Sequence, residues 1–140
     1  METSTLLKNI AQIRERVSAK LVKTPSSSGS VTIIAASKTQ PVEILRNAAK
    51  FGIRDFGENY LQEALVKIKQ LHDLDLTWHF IGALQGNKAK SVAETFDWIH
   101  SVDRLSIAKR LSDKRPNSLK PLNVCIQVNV CNEQNKSGCT

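Results

Sequence analysis

An α/β fold built on a parallel sheet is the class that this chain of 140 residues predicts. Three observations carry that reading. Short apolar runs rich in β-formers alternate with segments whose apolar residues recur every three or four positions, the pattern of strands joined by crossover helices. Polar residues collect at the C-terminal ends of successive strands: Lys38, Asn59, the loop from Gly82 to Asn87, His100 with Asp103, and Asn129. No G-x-G-x-x-G follows the first strand, so the signature of a dinucleotide-binding doubly wound sheet is missing. Convergence of polar groups from several strand ends is how a closed barrel builds a site, yet eight strands need about 200 residues or more. An open sheet and a piece of a barrel both stay open at this point.

The elements follow in order. Leu6, Ile10, Ile13, Val17 and Leu21 form one apolar stripe flanked by Lys8, Arg14, Glu15, Arg16 and Lys20, an amphipathic leading helix within residues 1–24. Residues 25–30, rich in serine, read as a linker, a composition that turns and does not pack. Val31 to Ala36 reads as a strand buried on both faces that delivers Lys38 at its end and Pro41 into the first turn of a helix. Val42, Ile44, Leu45, Ala48 and Ala49 make that helix, closed by a left-handed Gly52. Ile53 to Phe56 is the second strand, Leu61, Ala64, Leu65, Ile68 and Leu71 mark the next helix, and Thr77 to Gly82 is the third strand. After the loop from Ala83 to Asn87 come a helix with Ala89, Val92, Ala93 and Phe96, a strand from Trp98 to Val102, and a helix with Leu105, Ile107, Ala108 and Leu111. Asn123 to Val130 is the fifth strand, and Cys131 to Thr140 is a polar loop where a sixth crossover would begin.

Composition narrows the classes. A hydrophobic content of 41% supports one domain's core. The net charge of +7 is scattered over the helices and aromatics make up only 5%, so no stacking platform for single strands is visible. A phosphate-bearing small ligand suits the charge equally well. Cys125, Cys131 and Cys139 form no C-x-x-C pair and have no histidine near them, which points to free thiols in a reducing cytosol and away from a zinc site. Neither a signal peptide nor a run of about 18 apolar residues is present. The expectation is a cytoplasmic protein with no membrane and no nucleic-acid partner.

Four motifs add a resemblance. Ala36-Ser37-Lys38-Thr39, Phe56-Gly57-Glu58-Asn59-Tyr60-Leu61-Gln62-Glu63, Trp78-His79-Phe80-Ile81-Gly82-Ala83-Leu84-Gln85-Gly86-Asn87-Lys88 and Asn135-Lys136-Ser137-Gly138 together closely resemble the pyridoxal-phosphate homeostasis protein family. These are single-domain relatives of the alanine racemase N-terminal barrel, and the likeness runs from about Val31 to Gly138. It implies a (β/α)8 TIM-type barrel, of which this chain would supply, as one partial domain, the leading helix and about the first five β/α units. It implies pyridoxal 5′-phosphate as cofactor and Lys38 as the amine of the internal aldimine. Asn59 is similar in position to the residue that the family keeps beside the cofactor, to bond the ring hydroxyl or pack on the ring; from the residues alone it is equally an N-cap. His79 is either a hydrogen-bonded core histidine or a cofactor contact. Asn129 points into the barrel mouth or into a loop, and Lys136, which looks like the family's flexible-loop lysine, is solvated or handles incoming cofactor.

A lysine amine attacks an aldehyde only when neutral, and partial burial at a strand end is the expected means of favouring that form. The function implied by the resemblance is a non-catalytic carrier that holds a reactive aldehyde and supplies it to apo-enzymes. Two alternatives stand beside it. A racemase-like enzyme would need a second acid/base, and Tyr60 is the chain's single tyrosine. A Schiff-base aldolase would use Lys38 on a carbonyl substrate. Gln40 stands where many relatives have lysine, which removes a second amine from the mouth. The family's phosphate cradle and its partner for the pyridine nitrogen lie in the last three strands, so the chain reads as an N-terminal portion with a weaker hold on phosphate. An open five-stranded sheet with apolar edges also predicts that the chain either self-associates through those edges or is only the ordered portion of a longer chain.

Overall fold

Apolar runs bounded by turn residues become five short parallel strands, and the stripes between them become helices. The computed structural model describes residues 3–21 and 31–140. The linker expected at 25–30 lies outside the described residues, as do the last residues of the span expected for the leading helix. The order is α1 (Thr3–Leu21), β1 (Ile34–Ala36), α2 (Val42–Lys50), β2 (Asp55–Glu58), α3 (Leu61–Gln70), β3 (Thr77–Phe80), α4 (Ala89–Thr95), β4 (Trp98–Val102), α5 (Leu105–Lys114) and β5 (Asn123–Ile126). A single 3₁₀ turn, Gly86–Lys88, leads into α4. Every helix predicted from periodicity is present, and β4 has the predicted bounds, whereas the other strands differ from the expected spans. β1 begins three residues later than expected, and β5 stops at Ile126 instead of Val130.

The strands pair in the order β1-β2-β3-β4-β5, all parallel. In a doubly wound sheet the order reverses at a switch point; here it does not. With right-handed crossovers, sequential order puts all the crossover helices on one face of the sheet. The register shows which face that is. Ala35, Phe56 and Trp78 are neighbours across β1, β2 and β3, and Phe80, Ile99 and Val124 across β3, β4 and β5. This side carries the apolar core, with Phe56, Phe80 and Ile99 at 2% exposure or less. Small residues on the facing helices, Ala48, Ala49, Ala64, Ala89 and Ala93, are buried against it and let the helix axes approach closely. Each large apolar side chain removed from water here contributes about 1.5–3 kcal/mol.

The opposite face aligns Ala36, Gly57, His79 and Trp98 and is more polar. Leading helix α1 packs on α2, with Ile10 buried and Leu6 partly so. Arg14 fixes the contact, its guanidinium donating to the carbonyl oxygens of Phe51 at 2.7 Å and Gly52 at 2.9 Å. Ile13, counted in the predicted stripe, is 47% exposed, so only part of that stripe is docked.

Candidate functional site

β1 ends in a tight turn. The Gln40 N–H bonds the Ser37 carbonyl at 3.1 Å, Thr39 sits at φ +61° between them, and Pro41 at the N-cap starts α2. Lys38 occupies the second turn position and is exposed. The expected partial burial of this amine is therefore absent, because the side chain leaves the strand end toward solvent. No ion pair engages Lys38 among the described residues.

Beneath the turn lies a buried ionic cluster that periodicity did not reveal. Lys67 of α3 is 4% exposed and Glu58 at the end of β2 is fully buried. The Lys67 ammonium donates to the Ser37 carbonyl at 2.7 Å, to Glu58 Oε1 at 2.8 Å and to Glu63 Oε1 at 2.6 Å. Ser37 Oγ donates to the same Glu58 oxygen at 2.6 Å, and the Thr39 N–H donates to Glu63 Oε1 at 2.6 Å. The hydrogen bond from Lys67 holds the Glu63 carboxyl below its ordinary range, against a smaller opposing effect of burial. A lysine four residues after a glutamate on an amphipathic helix reads as a surface pair. That it turns inward is decided by the sheet, which presents Glu58 on its helix side.

Asn59 follows directly on Glu58. The N-cap of α3 is Tyr60, with no side-chain cap, so the alternative of Asn59 as the cap does not hold. Asn59 Oδ1 is buried and has no partner among the described residues. Gly82, just beyond β3, passes so close that a Cβ there would lie 2.2 Å from the Asn59 carbonyl oxygen. A cavity of about 440 Å³ opens at this strand end, lined among others by Asn59, Tyr60, Gln62, Gln85 and Lys88. A second cavity, about 510 Å³, lies at the opposite ends of the strands against α1 and includes none of Lys38, Asn59, His79, Asn129 and Lys136.

His79 is 3% exposed on the polar face, and both of its ring nitrogens are engaged. Nε2 is 3.0 Å from Asp55 Oδ1, Nδ1 is 3.0 Å from His100 Nε2, and Trp98 stacks on the ring at a centroid distance of 5.8 Å. With both rings neutral, the Asp55 carboxylate only accepts, so His79 Nε2–H donates to it and His100 Nε2–H donates to His79. Burial, then the neighbouring His79, pushes His100 below its ordinary value. His79 thus has the hydrogen-bonded arrangement of a core histidine.

Asn129 lies beyond β5 and spends its amide locally. Nδ2 donates to the carbonyls of Glu133 and Lys136, and Oδ1 accepts from the Glu133 N–H. Gly138, at φ +143°, backs onto Asn129, where a Cβ would come within 2.6 Å of the Asn129 nitrogen. Lys136 is exposed in the same loop. The structure therefore brings Ser37, Lys38, Glu58 and Asn59 together at adjacent strand ends and gives Asn129 a loop-building part.

The family profile described as "Alanine racemase, N-terminal domain" matches residues 2–140. The chain belongs to the alanine racemase N-terminal domain family. Among curated relatives, it is 53% identical over 136 residues to the pyridoxal phosphate homeostasis protein of Pseudomonas aeruginosa, covering 97% of this chain and 59% of that protein. It is 49% identical over 133 residues to the protein of the same name from Escherichia coli K12, covering 93% and 57%. Of solved structures, PipY of Synechococcus elongatus with PLP bound aligns with a TM-score of 0.80 at 38% identity, over 96% of this chain and 58% of PipY. The chain thus spans less than two thirds of the length of these relatives. No helix among its described residues is long and apolar enough to cross a membrane.

Proposed function

We propose that the chain binds pyridoxal 5′-phosphate through Lys38 and acts as a non-catalytic carrier, holding the aldehyde as an aldimine and releasing it to apo-enzymes. In this reading residues 31–140 form the first part of a (β/α)8 barrel, with α1 packed outside it. The observation that carries the reading is the pairing of two free groups at adjacent strand ends: the exposed Lys38 amine and the partnerless Asn59 Oδ1. An amine and a hydrogen-bond acceptor at the ends of neighbouring strands suit an aromatic aldehyde with a neighbouring hydroxyl. Condensation joins the Lys38 nitrogen to the aldehyde carbon and expels one water. Sequential strand order supports the barrel, and the likeness to PipY with PLP bound supports the cofactor.

The test is absorbance after adding pyridoxal 5′-phosphate. A visible imine band that borohydride abolishes, and that Lys38→Ala fails to develop, is the expected result. A wild-type chain without the band, or a Lys38→Ala chain that keeps it, would overturn the assignment. Turnover in an alanine racemisation assay would replace the carrier by an enzyme.

A further inference from the structure

Lys67 occupies a core position of α3, yet it is charged and fully hydrogen-bonded. Its three ammonium protons meet three acceptors, and two of these lead to the turn that bears Lys38. On one side, the Ser37 carbonyl accepts from Lys67 and also closes the turn by accepting from Gln40. On the other side, Glu63 Oε1 takes both the Lys67 ammonium and the Thr39 N–H. Glu58 ties Ser37 and Lys67 together from below, with its second oxygen buried and unpartnered. Lys38 is thus clamped through both neighbours in the chain and touched by none of the cluster itself.

The clamped turn is strained. Thr39 is β-branched and stands in the left-handed region at φ +61°, a conformation that persists only where its surroundings over-determine it. A buried ion pair is not needed for stability, since apolar replacements of similar volume commonly serve as well. Charge and strain concentrated under one exposed lysine therefore call for a different account.

We propose that Lys67, with Glu63 and Glu58, is a positioning device for Lys38. It holds the Ser37–Gln40 turn so that the amine leaves the strand end in one direction, ready to meet an aldehyde. The inference rests on the proposed role of Lys38. Glu63 is the member to remove, because its side chain is 29% exposed and its loss leaves Lys67 with two acceptors. Thr39→Gly is the control change, relieving the strain while the turn and every cluster contact stay.

The experiment is the rate of imine-band formation on adding pyridoxal 5′-phosphate, read beside thermal unfolding of the same samples. Glu63→Ala should slow the band by roughly tenfold to a hundredfold, the range expected for misplacing a reacting group by about an ångström, whereas Thr39→Gly, which takes a positive φ freely and keeps the N–H that Glu63 accepts, should react as wild type does. Glu63→Gln, which keeps an acceptor for the Thr39 N–H, should recover much of the rate. Arg46→Ala, which breaks the exposed Arg46–Asp73 pair elsewhere, should react as wild type does. Glu63→Ala folded and reacting at the wild-type rate would overturn the positioning role, as would slowing by Arg46→Ala equal to that by Glu63→Ala. A wild-type chain that forms no band would instead overturn the reading of Lys38 on which the inference depends.

Discussion

His100 donates to His79, which donates to Asp55, and this relay crosses β2, β3 and β4 on the polar side of the sheet. His100 is held below its ordinary value of 6.5. The unfolded chain therefore binds a proton at His100 more readily than the folded one, so stability is present above about pH 6.5 and falls as pH drops toward the folded value. Glu63 acts at lower pH, since its carboxyl is held below 4.5 and its contribution fades as pH falls beneath that. Acid destabilisation should thus come in two stages. Urea unfolding between about pH 7 and pH 5 should show the first stage in wild type and a flatter profile in His100→Gln. An unchanged slope in that variant would sink the assignment. His79 itself was visible in the sequence as a histidine within a strand. Its engagement at both nitrogens was not, because the partners lie 24 and 21 residues away and meet it only through register.

Helix ends were easier to read than strand ends. Gly52 takes φ +82° after α2, its N–H bonding the Ala49 carbonyl while the Ile53 N–H bonds that of Ala48, a Schellman cap. Local chemistry alone specifies such a cap, so Gly52 was recognisable in the chain. Gly52→Ala should cost about 1–2 kcal/mol, from the left-handed conformation together with displacement of Arg14. The added Cβ would lie 3.1 Å from Arg14 Nη2, so the change also loosens α1 from α2. Urea denaturation reads the loss, and a variant as stable as wild type would show that α1 docks without this fork. Strand limits other than those of β4 resisted prediction because pairing sets them. Ile33 is as apolar as Ile34, but β2 offers partners only from Asp55 onward, opposite Ile34.

β5 closes the ordered row of strands and leaves its helix side bare, with Val124 at 44% exposure and Ile126 at 71%. A parallel sheet is normally covered on both faces, so residues 1–140 taken by themselves are expected to associate through this edge. Sedimentation of the chain should show concentration-dependent association that Ile126→Lys shifts toward the monomer. A wild-type chain that stays monomeric throughout would contradict this.

Composition, periodicity and four motifs were enough for the parallel α/β class, the helices, the family and the lysine at the end of β1. These rest on local spacing, which a linear sequence carries directly. Tertiary structure alone decided that Lys67 turns inward, that Tyr60 and not Asn59 caps α3, and that Thr39 is strained beside an exposed Lys38. Each depends on which residues the strand register brings opposite one another, and that arrangement exists only once the sheet has formed.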